Sequence, residues 1–366
     1  MSMANLVNIT TSSPPYKVTQ QKAAEELKKR MGVRPAIGRL IDTASAHSGI
    51  ESRFIIIPDA EESSESKFYS SNGAYIKPDT KMRMLEYEKW SKQLSKDAVS
   101  NLLINNNIKP DSIERIITVS CTGFFAPGLD YYLMNEFNIP FTAKRTNIGF
   151  MGCAAVITGF NSVFEAINSA GQNELNTLLL SVELCSIHLQ TEPTRDNILA
   201  NMIFADGCAA ALFSNSKSFK PRLELVGTKS VLFRDSAKFM GWQIGNFGFE
   251  MMLSSDLPKI ILNEAMPALK KLFGEIGIEA ESIKYWALHP GGRAILDALQ
   301  SGLNLPEDKM IHSRNVLKNY GNMSSASILF VLKEILIVSE IQTGDYCCAV
   351  AFGPGLTMEM ALFKGV

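Results

Sequence analysis

The chain carries one pattern twice, and a repeat of this length restricts the fold more than any other feature. In the first copy, Ile116-Ile117-Thr118-Val119-Ser120 reads as a buried strand running into Cys121-Thr122-Gly123, a helix pattern and Asn138-Ile139-Pro140. Gly152-Cys153-Ala154 and a second helix pattern follow. In the other copy, Tyr285-Trp286-Ala287-Leu288 runs into His289-Pro290-Gly291-Gly292, a helix pattern and Asn304-Leu305-Pro306, then Gly321-Asn322-Met323-Ser324-Ser325 and another helix. Cys121 and His289 are 168 residues apart, Cys153 and Asn322 169. A pseudo-twofold arrangement of two such units would gather Cys153, His289 and Asn322 at one site: a thiol, an imidazole and a carboxamide.

At 366 residues the chain accommodates two fused halves, which we place at 1–219 and 220–366, joined through the polar, basic stretch Ser214 to Pro221. Leu6–Thr10 begins the first half as a strand, and Leu223–Gly227 restarts the pattern. Gln20–Met31, Lys81–Leu103 and Leu257–Phe273 read as helices; Arg53–Ile57, Thr177–Val182, Cys208–Phe213, Cys347–Phe352 and Leu356–Leu362 read as strands. Ala60 to Lys67, acidic and serine-rich, reads as a solvated loop. Strands alternating with helices predict a layered α/β fold with helices on both sheet faces and two helices, one per half, buried between two sheets.

A net charge of −1 provides no field to recruit nucleic acid or an anionic membrane. No uncharged apolar run reaches the roughly 18–20 residues of a membrane span, and Met1–Pro15 lacks a signal-peptide pattern. The six cysteines are scattered without a CxxC pair, which disfavours zinc and points to free thiols in a reduced, cytoplasmic setting.

Cys153 opens a helix pattern, where unpaired backbone N–H groups favour a thiolate; a small buried core thiol is the competing reading. His289 ends an apolar strand before Pro290-Gly291-Gly292, where glycines let another group approach closely. It is one of four histidines, so it has few rivals as an acid/base group; a hydrogen-bonded strand-end histidine is the alternative. His188 follows another strand and faces the same cavity in this reading. Asn322 opens a helix, as an N-cap would. As a trio these residues fit two mechanisms. An asparagine can orient the histidine of a cysteine hydrolase, or its N–H can join an imidazole N–H in an oxyanion hole for a thioester enolate.

Gly152-Cys153-Ala154, His289-Pro290-Gly291-Gly292, Gly321-Asn322-Met323-Ser324-Ser325-Ala326 and Phe352-Gly353-Pro354-Gly355-Leu356-Thr357 together resemble the signature set of type III polyketide synthases, the chalcone synthase-like family, along about Leu6 to Leu362. The resemblance implies a thiolase-like αβαβα fold and a homodimer. It implies that Cys153 takes an acyl group from a starter acyl-CoA, that malonyl-CoA loses carbon dioxide to give an enolate held by His289 and Asn322, and that the enolate attacks the acyl-Cys153. It calls for no metal, redox cofactor or carrier protein. Phe204 matches the family's first gatekeeper phenylalanine, and Met251 stands where the second is usually phenylalanine. Cys121, Thr122, His188, Ser324, Gly353 and Pro354 are implied to line the substrate cavity.

Several positions depart from the plant members. Cys121-Thr122 replaces a frequent Thr-Ser pair, His188 a frequent threonine, Ala351 a glycine, and Ala126 a methionine that reaches across the dimer. The basic residues that hold CoA phosphates are poorly matched; Arg39, His47 and Arg53, with Gly291 and Gly292, are the candidates. A microbial-looking cavity, with Met251 and Ala126 in place of bulkier residues, favours an aliphatic starter and an alkylpyrone or alkylresorcinol. The competing readings are a malonyl-primed tetrahydroxynaphthalene or phloroglucinol synthase, a ketoacyl synthase III-like priming enzyme using a carrier protein, and an idle scaffold.

Overall fold

The computed structural model describes residues 3–32, 34–57, 68–71 and 74–366; the predicted loop Ala60–Lys67 lies outside them. The first half runs β1 (Ala4–Ser12), β2 (Tyr16–Thr19), α1 (Gln20–Met31), α2 (Pro35–Ala46), β3 (Ser52–Ile55), β4 (Ser70–Ser71), β5 (Ala74–Tyr75) and α3 (Thr80–Asn105). It continues with β6 (Arg115–Ser120), α4 (Leu129–Phe137), β7 (Lys144–Gly149), α5 (Ala155–Ser169), β8 (Asn176–Leu184), α6 (Arg195–Ile203) and β9 (Asp206–Ser214). After it come β10 (Leu223–Leu232), β11 (Met240–Gly245), β12 (Gly248–Leu253), α7 (Leu257–Ile260), α8 (Met266–Glu275) and β13 (Ile283–Leu288). The chain ends with α9 (Arg293–Leu303), α10 (Glu307–Tyr320), α11 (Ser327–Val338), β14 (Tyr346–Gly353) and β15 (Thr357–Gly365). Among the described residues no helix is long and apolar enough to cross a membrane.

The expected pair of sheets is one hydrogen-bonded sheet of nine strands, ordered β13-β14-β15-β10-β1-β9-β8-β6-β7. The halves join where β1 pairs antiparallel with β10, at Ala4–Leu225, Asn5–Glu224 and Leu6–Leu223. Register shifts after Leu6 and Leu225 follow at once. Such bulges bend strands, so the two arms of the sheet turn to face each other. The interior is layered accordingly. Side chains of α5 and α11 share one core cluster with strands of both arms, including Val119, Ala209, Ala287 and Ala349. The outer faces pack against α3 and α4 on one side and against α7, α8, α9 and α10 on the other. The two expected central helices are therefore α5 and α11.

Period-two alternation sets which side chains face inward. Every residue of β8 is buried; Leu178, Leu180, Val182 and Leu184 join the outer cluster. Ser181 and Glu183, on the other parity, face the central layer. The predicted helix Leu257–Phe273 extends to Glu275 but is interrupted by a π-turn over Ile261–Ala265. Pro267, just beyond the turn, has no N–H to continue an i→i−4 ladder.

The duplication is visible in backbone detail. Asn138 and Asn304 both close their helices in the left-handed region, with φ 56° and 52°. A 3-10 turn precedes each central helix, at Gly152–Ala154 and Ser324–Ala326, and each starts on a positive φ: 62° at Gly152, 47° at Ser324. This pairing corrects the sequence register. The turn counterpart of Cys153 is Ser325, three positions after Asn322. The copies also differ after the Asn-x-Pro motif, which leads to β7 in the first and to α10 in the second.

Candidate active site

Cys153 sits on the 3-10 turn between β7 and α5 and is 8% exposed. The turn is tightly backed by the Gly353-Pro354-Gly355 loop. A Cβ on Gly152 would fall 2.3 Å from Pro354 Cδ, and one on Gly353 would fall 2.6 Å from Met151 O. Neither position has room for a side chain, and the positive φ at Gly152 adds to the requirement. His289 follows β13, with its N–H donating to Val350 O at 2.9 Å. It is 3% exposed, and both ring nitrogens lack a hydrogen-bond partner among the described residues.

Asn322 is fixed from four sides. Its backbone N–H donates to Ile203 O and its carbonyl accepts from Ala205 N, both at 2.9 Å. Oδ1 accepts from Ser324 N at 2.9 Å, and Nδ2 donates to Gly291 O at 3.2 Å. Cys153 Sγ lies 4.0 Å from Asn322 Oδ1. The structure thus brings Cys153, His289 and Asn322 together on the wall of one cavity.

Burial pushes the Cys153 thiol up to about 12; the Ser324 hydroxyl opposes this and the Glu183 carboxylate adds to it. Burial also pushes the His289 imidazole down to about 3. Both shifts favour the neutral forms, against the thiolate expected from the start of a helix, because burial outweighs the backbone N–H groups there; a neutral imidazole has one N–H donor and one free lone pair. One consequence is measurable. Between about pH 6.5 and 3 the unfolded chain protonates this histidine and the folded chain does not, so its contribution to stability falls as pH falls. Urea unfolding should show wild type losing about 1.4 kcal/mol per pH unit relative to His289→Gln below pH ~6. Parallel curves for the two proteins would contradict the neutral assignment.

Three spaces meet here. An outer cavity of about 380 Å³ contains Cys153, His289, Asn322, Phe204 and Met251 in its wall, with His47, Gly291 and Gly292. A small chamber of about 30 Å³ lies beside Cys153 and is lined by Cys121, Thr122, Phe204, Met251, Ser324 and Pro354, among others. A third space of about 110 Å³ lies beyond Phe204, Trp242 and Met251.

Four sequence expectations are corrected. Arg53 is buried, and its Nη1 donates to Asn201 O at 2.7 Å and Phe204 O at 2.6 Å; it supports the gatekeeper segment and does not reach the outer cavity. Arg39 is exposed on α2 and lies outside the cavity wall. Arg195 and Arg293, which the motifs did not flag, are the arginines that line it. His188 faces the third space instead of the Cys153 chamber. Its Nε2 lies 2.7 Å from Thr122 O, and Nδ1 accepts from Phe249 N at 3.0 Å. Burial pushes this imidazole down to about 3. Gly353 packs behind the Cys153 turn, leaving Pro354 to line the chamber.

Sequence reasoning also missed Glu183. Fully buried, it accepts from Cys121 N at 3.0 Å, from Thr122 Oγ1 at 2.9 Å and from the Ser325 hydroxyl. Burial raises its pKa, and those three donors oppose the rise. The available signal was a lone carboxylate inside a strand of otherwise apolar and small residues. Cys121 Sγ in turn donates to Gly152 O at 3.3 Å, tying the end of β6 to the Cys153 turn.

The chain is similar to known proteins along its whole length. Residues 63–234 match the family described as FAE1/type III polyketide synthase-like protein, and residues 224–366 match the C-terminal domain of chalcone and stilbene synthases. A putative chalcone synthase of Bacillus subtilis (strain 168) is 30% identical, over 99% of this chain and 99% of its own. The 1,3,6,8-tetrahydroxynaphthalene synthase of Streptomyces coelicolor is 29% identical over 98% of this chain and 92% of its own. The crystal structure of PKS-I from the brown alga Ectocarpus siliculosus superposes with a TM-score of 0.90 at 28% identity, covering 100% of this chain and 98% of that one. The layered, duplicated fold is that of a thiolase-like condensing enzyme. Within that class the chain belongs to the type III polyketide synthase (chalcone synthase) family, and it is an acyltransferase.

Proposed function

We propose that this enzyme loads an acyl group from a starter CoA thioester onto Cys153 and extends it repeatedly by decarboxylative condensation with malonyl-CoA. The observation that carries this reading is the convergence of Cys153, His289 and Asn322 on one largely apolar cavity. The His289 lone pair accepts the thiol proton as Cys153 Sγ attacks the starter carbonyl, and CoA leaves with a proton. Malonyl-CoA then loses carbon dioxide. A His289 N–H and the second Asn322 Nδ2 hydrogen stabilise the enolate oxygen. The enolate carbon attacks the acyl-Cys153 carbonyl and expels the thiolate, and the lengthened chain returns to Cys153 for another round. His47, Gly291 and Gly292 flank the CoA arm in this reading.

For the starter we favour an aliphatic acyl-CoA, giving a pyrone or resorcinol; flexible Met251 at the junction and small Ala126 support this over an aromatic starter. Incubation with labelled malonyl-CoA and a panel of acyl-CoA starters tests both levels. Chain-extended products are expected from aliphatic starters. Carbon dioxide release with no extension on any starter would refute the synthase reading. Products from malonyl-CoA alone would instead favour a naphthalene- or phloroglucinol-type synthase.

We further propose a homodimer that pairs through β7, the terminal strand of the sheet, in a reduced cytoplasmic setting that suits six free cysteines. Exposed Met151 just past β7 and exposed Phe124, 6.0 Å from Phe150 by ring centroids, provide apolar surface beside this open edge. Light scattering should give twice the 40.3 kDa chain mass; a monomer at micromolar concentration contradicts the pairing.

A further inference from the structure

The β11–β12 hairpin carries Trp242 and Met251 into the wall of the Cys153 chamber, yet it forms a sheet of its own, separate from the nine-stranded one. Side contacts therefore set its position. Its base is tied down where Gly355 N donates to Met240 O and Leu253 N donates to Asp196 Oδ2, both at 3.3 Å. Its tip rests on the first turn of α3. We propose that Arg83 of that turn, which lines none of the three spaces, is the positioning residue that holds the hairpin against the chamber and thereby sets how many extensions are completed before the product leaves. The inference rests on the extension chemistry above and adds what fixes its endpoint.

Arg83 is fully buried. A cation out of water is costly to keep, and the hydrogen bonds of this one go to neutral oxygens. Nε donates to Pro78 O at 2.9 Å. Nη1 donates to the Tyr69 hydroxyl and Leu189 O, both at 3.2 Å, and to Ile187 O. Nη2 has no partner among the described residues. What a guanidinium supplies in such a place is geometry, because its planar fork reaches several acceptors from one rigid frame. Here it grips the carbonyls on either side of His188. It also lies directly under Gly248, the first residue of β12: a Cβ there would fall 2.7 Å from Arg83 Cδ and 2.9 Å from Nε.

Thr80, one turn earlier on the same face of α3, completes the seat. Its N–H, left without an intrahelical acceptor at the helix start, donates to Asn246 O at 3.0 Å. Its Oγ1 accepts from Gly248 N at 2.9 Å and donates to Gly245 O.

From the tip the restraint runs inward through the segment that Arg83 grips. Gln190 Nε2 donates to Phe247 O at 3.0 Å. His188 Nδ1 accepts from Phe249 N at 3.0 Å, while Nε2 lies 2.7 Å from the carbonyl of Thr122, a chamber residue. The His188 ring stacks on Phe249 with centroids 4.2 Å apart, and Trp242 meets both rings edge-on. Burial, with the Arg83 charge adding to it, disfavours a second proton on His188 and so preserves Nδ1 as an acceptor. The chamber is only about 30 Å³, so a small shift of Trp242 or Met251 changes what fits beside Cys153. Asn322 and His289 take their backbone and side-chain hydrogen bonds from other segments, so the catalytic wall does not depend on Arg83.

Two substitutions test this. Arg83→Lys keeps the charge and loses the fork; Thr80→Val loses both side-chain bonds to the hairpin tip and leaves Arg83 intact. Each full-length variant receives labelled malonyl-CoA and the acyl-CoA starter that wild type extends most. Loading of Cys153, read by intact-protein mass spectrometry, and the initial rate of carbon dioxide release should stay within about twofold of wild type. The ratio of longer to shorter products should shift by about fivefold or more, in the same direction in both variants. In the double variant the shift should be smaller than the product of the two single shifts, because both changes release one hairpin. A lower melting temperature with an unchanged product ratio in any folded variant overturns the proposal and leaves a purely structural role; Thr80→Val keeps the test available should Arg83→Lys fail to fold. Loss of loading in parallel with extension overturns it as well, since the restraint would then reach the catalytic wall. Absence of extension by wild type with every starter would instead indict the underlying synthase reading.

Discussion

Cys153→Ala is expected to abolish formation of acyl-enzyme and to lower extended product by about 10³-fold or more, while malonyl-CoA decarboxylation continues. The asymmetry follows from the geometry. Cys153 is the thiol in this wall and would hold the chain covalently, whereas His289 and Asn322, which would stabilise the enolate, are held mainly by other groups, the sulfur's contact with Asn322 Oδ1 being a long 4.0 Å. Asn322 is positioned by Ile203, Ala205, Ser324 and Gly291, and His289 by the end of β13. Alanine removes a sulfur from a tight turn without changing that backbone. Intact-protein mass spectrometry after exposure to acyl-CoA reads loading, and trapped carbon dioxide reads decarboxylation. Extension surviving in this variant would show that another group is the nucleophile. Loss of both reactions in a folded variant would show that the thiol also takes part in the enolate step.

Asn322→Ala should reduce decarboxylation itself by about 10²–10³-fold, the usual cost of removing one donor from an oxyanion site. The single variant is ambiguous, because Oδ1 also accepts from Ser324 N and thereby holds a residue with φ 47°. Asn322→Asp separates the roles: it retains an acceptor for Ser324 N and removes the donor. Equal losses in both variants assign the effect to the missing N–H. A near-normal rate for Asn322→Asp would leave Asn322 as a brace for the turn and remove it from the reaction.

Strand and helix order was largely legible in the sequence, because long apolar runs such as Thr177–Val182 and strongly patterned helices such as Gln20–Met31 leave few alternatives. The three reactive residues were legible as a set because they punctuate a repeat. What escaped was set by partners distant in sequence. Nothing near Arg53 reveals that its guanidinium turns inward to the carbonyls of Asn201 and Phe204, and a basic residue close to a helix reads as a phosphate ligand until that is known. The β11–β12 hairpin, which carries Trp242 and Met251, lacks a clean alternation because both of its faces are partly exposed. The equivalence of Cys153 with Ser325 was hidden because the two copies reach their central helices through connections of different length. Only backbone conformation, a positive φ at the first residue of each turn, reveals the true register.

That register gives the buried carboxylate of Glu183 its meaning. The turn used in one copy to present a thiol is used in the other to present a hydroxyl to Glu183, which also grips Cys121 and Thr122 of the first copy. The carboxylate therefore acts as a rivet through the seam of the duplicated molecule. Its contacts hold the two copies in one relative position, and so hold their common site together. The β11–β12 hairpin and the helices over it supply none of these contacts, which leaves them open to change. An engineer who seeks new products from this scaffold has the same freedom, to reshape the hairpin and leave the rivet alone.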